Sequence, residues 1–559
     1  MKYTINKLSV LLLLLISFSC TDIDPDIYDS VRPETFFSSK KNVLARLYRP
    51  FTHARYYVEN DRWRLEEFTA DHFAISTKGR HWYNGGENER FHYHTWTPDE
   101  NWIFDTWRTT LQGVSLAIDS RVDLENLDYP SLNLTEEDKV NHVSQLNALI
   151  GYFYMRGLGF FGGMPIFDSF DEINIPRNTD EETFAYAESM FLETIDKLAI
   201  QTEGEKGEGN ITKGTVAAFL AELYFNAEAT TGTPRFEECA ALCQDILDGK
   251  YGDYSLDANW YGPHSFSNNE SYAIIWSAPS ELNYLEYSWF YADFYPYSIS
   301  QFFNIDGGAN NGTHLTPSRT PDGTLYSKTL KLGSPFEKFE DTDLRKKVYD
   351  YKGNGNYEGM FIFGEFLTPD GEPILGSEEY ANEPLVFVDQ VARFSEVGPG
   401  EKYASINELP SKMSEGEENT GVRLVKVPVP NNADQSIKWG ADHPIIRLAE
   451  IYYMLAECKL RSGDKDAAAA LINEVRNRNF EGADPNPVTA GNLDEYRMLD
   501  EWGEEFLGEG RRRTDLIRWN KFTTDSWWDH EPSAEYRRRF PVPTRAISGN
   551  NSLEQNPGY

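Results

Sequence analysis

Two apolar stripes separated by a Ser-Gly-Asp turn constrain this chain more than any other feature. From Ile445 to Ser462, the residues Leu448, Ile451, Tyr452, Leu455 and Ala456 fall on one helical face. From Lys465 to Arg478, Ala467, Ala470, Leu471, Ile472 and Val475 repeat the pattern. Apolar residues at i, i+3, i+4 and i+7 mark amphipathic helices, which must bury that stripe against a neighbour. Gly463 is placed to cap the first helix and Asp464 to start the second. A helical hairpin with alanines at its crossing points is therefore the unit from which this protein is built.

The same periodicity recurs from about Val140 to Leu158 (Val143, Leu146, Leu149, Ile150, Phe153, Tyr154) and from Lys213 to Asn226 (Val216, Phe219, Leu220, Leu223, Tyr224). Such hairpins look like tetratricopeptide units, yet no clean 34-residue period appears, so the units are divergent and spaced by insertions. Between about residues 253 and 441 Gly, Pro, Asn and aromatic residues dominate and the helical period fades. The predicted fold is mainly α: one domain over 31–559, with a tetratricopeptide-like scaffold over about 31–252 and 442–559. That scaffold supports a loop-rich region with a few short strands over about 253–441, where binding function is expected. The run Gly157 to Gly162 fits G-x-G-x-x-G, but a helix precedes it and Gly163-Met164-Pro165 follows. It reads as a helix stop, not a dinucleotide loop.

The N-terminus carries an address. Lys2 and Lys7 precede the apolar run Leu8 to Ile16, and small residues lead to Cys20. Residues 1–19 read as a signal peptide, too short to span a bilayer, with Cys20 as a lipidation site in a lipobox-like sequence. Residues 20–30 form an acidic tether. Asp22, Asp24 and Asp26 mimic a calcium loop, but Ile27 and Pro33 stand where Gly and Glu are required. The remaining Cys239, Cys243 and Cys458 are odd in number and read as buried hydrophobes, with no metal site. A formal net charge of -36 excludes nucleic acid as a partner and disfavours polyanionic ligands, leaving neutral ones open.

The far end carries a specific signature. His443-Pro444-Ile445-Ile446-Arg447-Leu448-Ala449-Glu450-Ile451-Tyr452-Tyr453 is followed by Glu504-Glu505-Phe506-Leu507-Gly508-Glu509-Gly510-Arg511-Arg512-Arg513-Thr514-Asp515-Leu516-Ile517-Arg518-Trp519. Phe540-Pro541-Val542-Pro543 and Gln555-Asn556-Pro557-Gly558-Tyr559 close the chain. These motifs resemble the SusD/RagB family of outer-membrane nutrient-binding lipoproteins. Where that family usually has an Arg-Ala pair in its first strong helix, this chain has Ala148-Leu149-Ile150-Gly151. The resemblance implies a lipid-anchored protein at the cell surface that captures a neutral oligosaccharide. It would deliver the ligand to a SusC-like TonB-dependent transporter of the outer membrane, without turnover and without a cofactor. The charged residues Arg447, Glu450, Glu457, Glu509, Arg511 and Asp515 lie on helices that pack inward and are expected to pair with one another.

Aromatic residues make up 14% of the chain, an excess that must fill a core or line a surface. Two segments are candidate sugar platforms, because a sugar ring offers an apolar C–H face to an aromatic ring and a hydroxyl rim to Asp, Asn or Arg. The first supplies Asp71, Arg80, Trp82, Tyr83 and Asn84; the second supplies Trp289, Tyr291 and Tyr297. Peptide capture is the main rival reading, and a surface glycosidase, which needs paired carboxylates, a third.

Overall fold

The computed structural model describes residues 36–55, 60–172, 174–202, 209–280, 294–295, 310–365, 367, 371–377, 381–382, 384–391, 410–429 and 441–559. Cys20 with the signal peptide and tether, and Trp289, Tyr291 and Tyr297, lie outside the described residues.

The scaffold is a set of packed helix pairs. Helices α1 (Lys40–His53), α2 (Asn60–Glu67), α3 (Glu87–His92), α4 (Asn101–Glu125), α5 (Glu136–Phe161) and α6 (Asp180–Thr194) come first. Next come α7 (Lys213–Phe225), α8 (Phe236–Leu247), α9 (Leu448–Arg461), α10 (Lys465–Arg476), α11 (Glu495–Glu505) and α12 (Arg512–Arg518). Helix α5 packs between α4 and α6, α7 against α8, α8 against α9, and α9 against α10. Their starts are written locally: Thr135 with Asp138, Thr179 with Glu182 and Thr212 with Thr215 form capping boxes. The Asp464 side chain accepts the Ala467 N–H at the head of α10, after Gly463 has turned the chain at φ +91°. Helix α5 stops at Gly162, at φ +76°.

One expectation is corrected here. The periodic run from Ile445 does not begin as helix: His443–Arg447 is a strand, β10, paired antiparallel with β2 (Ile274–Ala278). Pro444 has no N–H to start a helical ladder and Ile445-Ile446 is β-branched, so the extended partner wins and the helix starts at Leu448.

The loop-rich region forms short two-stranded ladders among the described residues. They pair β1 (Phe73–Ala74) with β3 (His314–Leu315), β4 (Asp350–Gly353) with β5 (Asn356–Glu358), β6 (Phe361–Ile362) with β9 (Arg423–Leu424), and β7 (Gly364–Glu365) with β8 (Val386–Phe387). Beneath them lies a second apolar cluster, including Trp63, Phe73, Phe294, Phe361 and Leu424, separate from the helical core. Cys239, Cys243 and Cys458 are all buried in the helical core, with the first two sulfurs 3.9 Å apart.

Arginines of the C-terminal motif tie the helices to one another, and Arg512 ties them to the start of β1. Arg511 reaches Glu450 at 2.5 Å and Asp515 at 3.1 Å, and Arg518 reaches Glu457 at 2.7 Å. Arg512 reaches Asp71 at 2.6 Å, and Arg447 bridges Glu505 at 2.6 Å and Glu509 at 2.7 Å. Burial works against the Glu457 charge, but Arg518 and Arg461 overcome it and hold the carboxyl at about 2. Glu505 is held at about 2 in the same way, against burial, by Arg478 and Arg447. These carboxylates are joined to guanidinium groups inside the packed helices, which is a structural network. Among the described residues, no helix is long and apolar enough to cross a membrane.

Candidate functional site

The first aromatic segment becomes an exposed ledge. Immediately after β1, Lys78 and His81 exchange backbone hydrogen bonds of 3.0 and 2.8 Å around Gly79-Arg80, a tight two-residue turn. The chain then enters the left-handed region repeatedly: Trp82 at φ +65°, Asn84 at +44°, Gly85 at +62° and Gly86 at +79°. Glycine adopts this region freely and asparagine tolerates it, but a tryptophan does not, so Trp82 holds strain of about 1–3 kcal/mol.

The surroundings hold that strained shape. The Trp82 Nε1 donates to the Asn310 carbonyl at 2.9 Å, and its ring lies so close to Gly312 that a Cβ there would stand 2.6 Å from it. Asn88 Nδ2 donates to the Trp82 carbonyl at 2.9 Å, and Arg90 Nη1 donates to the Gly85 carbonyl at 2.8 Å. Arg90 is itself fixed by two bonds to Glu100, of 2.6 and 2.7 Å. Underneath, the buried Lys78 amine donates to Gly312 O at 2.8 Å and Ser76 O at 3.3 Å. Burial, with Arg423 adding to it, pushes this amine well below its ordinary range. On this base the Trp82 ring is half-buried and Tyr83 projects with 57% of its surface exposed. Arg80 and Asn84 are exposed on either side. A flat aromatic flanked by a fork of N–H donors and an amide is a surface suited to a ring with an apolar face and a polar rim.

Asp71 does not belong to this ledge, a correction to the sequence reading. It has no exposed surface, its carboxylate oxygens accept from Arg512 at 2.6 and 3.0 Å, and one also accepts the Gly333 N–H at 2.7 Å. Burial opposes its charge, but Arg512 overcomes it and holds the carboxyl below the usual carboxylate range. Its role is to anchor the start of β1 to α12. His72 and Trp96, from the same stretch, are buried too; the Trp96 Nε1 donates to the Tyr559 hydroxyl at 2.8 Å, which docks the C-terminal residues. In the second aromatic segment the described Phe294 and Tyr295 are buried in the cluster beneath the ladders.

Sequence reasoning missed the backstop. Gly312 and the Asn310 carbonyl set the height of the Trp82 ring, and the Asn-Asn-Gly turn signature at 310–312 was the available signal. The strain at Trp82 had no signal, because nothing in a Trp-Tyr-Asn-Gly-Gly string demands a left-handed tryptophan.

The sequence profile of the SusD family matches residues 250–559, more than half of the chain. The chain belongs to the SusD family. It is 38% identical over 126 residues to the starch-binding protein SusD of Bacteroides thetaiotaomicron, a match covering 21% of this chain and 22% of that protein. It is 21% identical over 486 residues to SusD-like protein P25 of Formosa agariphila, covering 82% of this chain and 80% of that one. The surface glycan-binding protein A from Bacteroides fluxus has the same fold, with a TM-score of 0.64 at 15% identity, over 93% of this chain and all (100%) of its own. The helix pairs and short ladders described above are thus the SusD-family architecture.

Proposed function

We propose that this SusD-family chain is a lipid-anchored protein of the outer cell surface that captures neutral oligo- or polysaccharide. It passes the glycan to a SusC-like TonB-dependent transporter without cleaving it. The observation that carries this reading is the ledge: an exposed Tyr83 beside a strained Trp82, held by three hydrogen-bonded neighbours instead of being allowed to relax into the core. Strain retained in a bulky aromatic at the surface points to a ring that is needed there. One relative in sequence is named for starch binding and one protein of the same fold for glycan binding, which supports the same ligand class. The anchor rests on Cys20 and the acidic residues behind it.

Isothermal titration of the purified protein against neutral polysaccharides tests the ligand class. Saturable heat is expected with at least one of them, and Tyr83→Ala is expected to weaken it about tenfold, or about 1.4 kcal/mol, at an unchanged thermal midpoint. Binding of peptides and of no glycan would replace this reading with peptide capture. Release of reducing sugar would make the protein an enzyme.

A further inference from the structure

On the helical scaffold, sharing no residue with the Trp82–Tyr83 ledge, lies a cavity of about 410 Å³. It opens between the C-terminal half of α5, the end of α7, α12, and the segment Glu535–Arg539. Its floor is apolar, with Met155, Leu158 and Phe160, and its mouth carries Tyr536, Arg538 and Arg539. This volume matches a mono- or disaccharide-sized ligand.

Most of the arginines that line it are matched, and the Glu535 carboxylate lines it without an ion pair among the described residues. Arg156 is joined to Glu222, Arg511 to Glu450 and Asp515, and Arg539 to Asp180. Glu66 accepts both the N–H and the hydroxyl of Thr514, at 2.9 and 2.7 Å. Among the described residues, the Arg538 guanidinium makes no ion pair and no hydrogen bond, and its Nε is buried without a partner. Burial lowers its pKa, with Arg539 adding to the effect and Glu535 opposing it. A guanidinium nitrogen withdrawn from water and left unpartnered is costly. In a protein of net charge -36, with several carboxylates close at hand elsewhere, leaving this arginine unmatched keeps a positive centre at the cavity mouth.

We propose that this cavity binds a small, singly charged sugar acid, its carboxylate received by the Arg538 fork and the C–H face of its ring turned toward the apolar floor. The planar fork of an arginine fits a carboxylate through two parallel hydrogen bonds. The strongly negative chain disfavours a polyanion, so the ligand is a monomeric acid and not an acidic polymer. This site goes beyond the capture of neutral glycan and does not depend on it.

Titration of the purified protein with glucuronate and galacturonate tests the proposal, with glucose, methyl glucuronate ester and inorganic phosphate as controls. Saturable heat is expected with at least one acid, at least tenfold weaker in Arg538→Gln and weakening as salt is raised. Arg538→Gln breaks no ion pair or side-chain hydrogen bond among the described residues, so its thermal midpoint should match the parent. As a second variant, Thr230→Asp, which sets a carboxylate in the cavity wall, should also weaken the acid. No saturable heat with either acid overturns the proposal, as does an unchanged Kd in Arg538→Gln. Equal affinity for the neutral ester or for phosphate overturns it too.

Discussion

Asp71 shows how little a residue's neighbours in sequence say about its environment. It stands eleven positions before Trp82, within a stretch rich in glycine and polar residues, yet it is wholly buried against Arg512. Replacing it by Asn would keep the shape and leave the Arg512 charge buried without its partner. Asp71→Asn is expected to lose about 3–5 kcal/mol in urea unfolding, because breaking one half of a buried pair costs far more than removing both. Asp71→Leu combined with Arg512→Met should recover part of that loss. By contrast Tyr83, Arg80 and Asn84 are exposed in the positions the sequence assigned to a surface turn. Gly79, Gly85 and Gly86 made that turn legible. Trp82 was legible as an aromatic on the turn, but not as a strained one.

At the scale of elements, helix caps and stripes were readable because they depend on residues three or four positions apart. Asp464, Gly463 and Gly162 act where the sequence placed them. The start of α9 was not readable, since β10 exists only because β2, far away in sequence, supplies its hydrogen-bond partners. Gly151 belongs to the same class of information. It occupies the helix where the family usually carries an Arg-Ala pair, and a Cβ there would stand 2.9 Å from the Phe191 ring and 3.2 Å from the Ala187 carbonyl. Alanine favours a helix over glycine by about 1 kcal/mol. Overpacking a buried crossing costs about 1–3 kcal/mol, and Phe191 is buried and fixed. Gly151→Ala is therefore expected to destabilise by about 1 kcal/mol in chemical denaturation, the packing outweighing the propensity. A stabilised variant would mean that α5 and α6 can separate.

At the scale of the whole molecule, the buried ionisable groups set the response to pH. Glu457 and Glu505 sit at about 2 against an ordinary 4.5, so their contribution is complete above pH 4.5 and is lost as pH falls toward 2. His72 and His94, held at about 3 chiefly by burial, stay neutral in the fold and take up protons on unfolding below 6.5, which adds to the loss. Glu67, raised to about 8 by burial, acts in the opposite sense, since its contribution fades as pH rises from 4.5 through 8. Between pH 4.5 and 6.5 the histidines and Glu67 act in opposite senses; below pH 4.5 the carboxylates and the histidines act together. Calorimetry should find a thermal midpoint that changes little between pH 4.5 and 6.5 and drops steeply below pH 4.5. An unchanged midpoint at about pH 3 would mean that the ion network does not support the fold.

The helical scaffold, its turns and caps, the family signature at the C-terminal end and the aromatic turn near residue 82 are legible along the chain. All of these follow from residue types within a few positions of one another. Which residues of that turn face outward depends on packing, because exposure is set by partners hundreds of positions away: Arg512 takes Asp71 inward, and Asn310 with Gly312 holds Trp82 at the surface. The unmatched arginine at 538 is likewise invisible in a string of three, Arg537-Arg538-Arg539, until packing gives partners to its neighbours and, among the described residues, none to it.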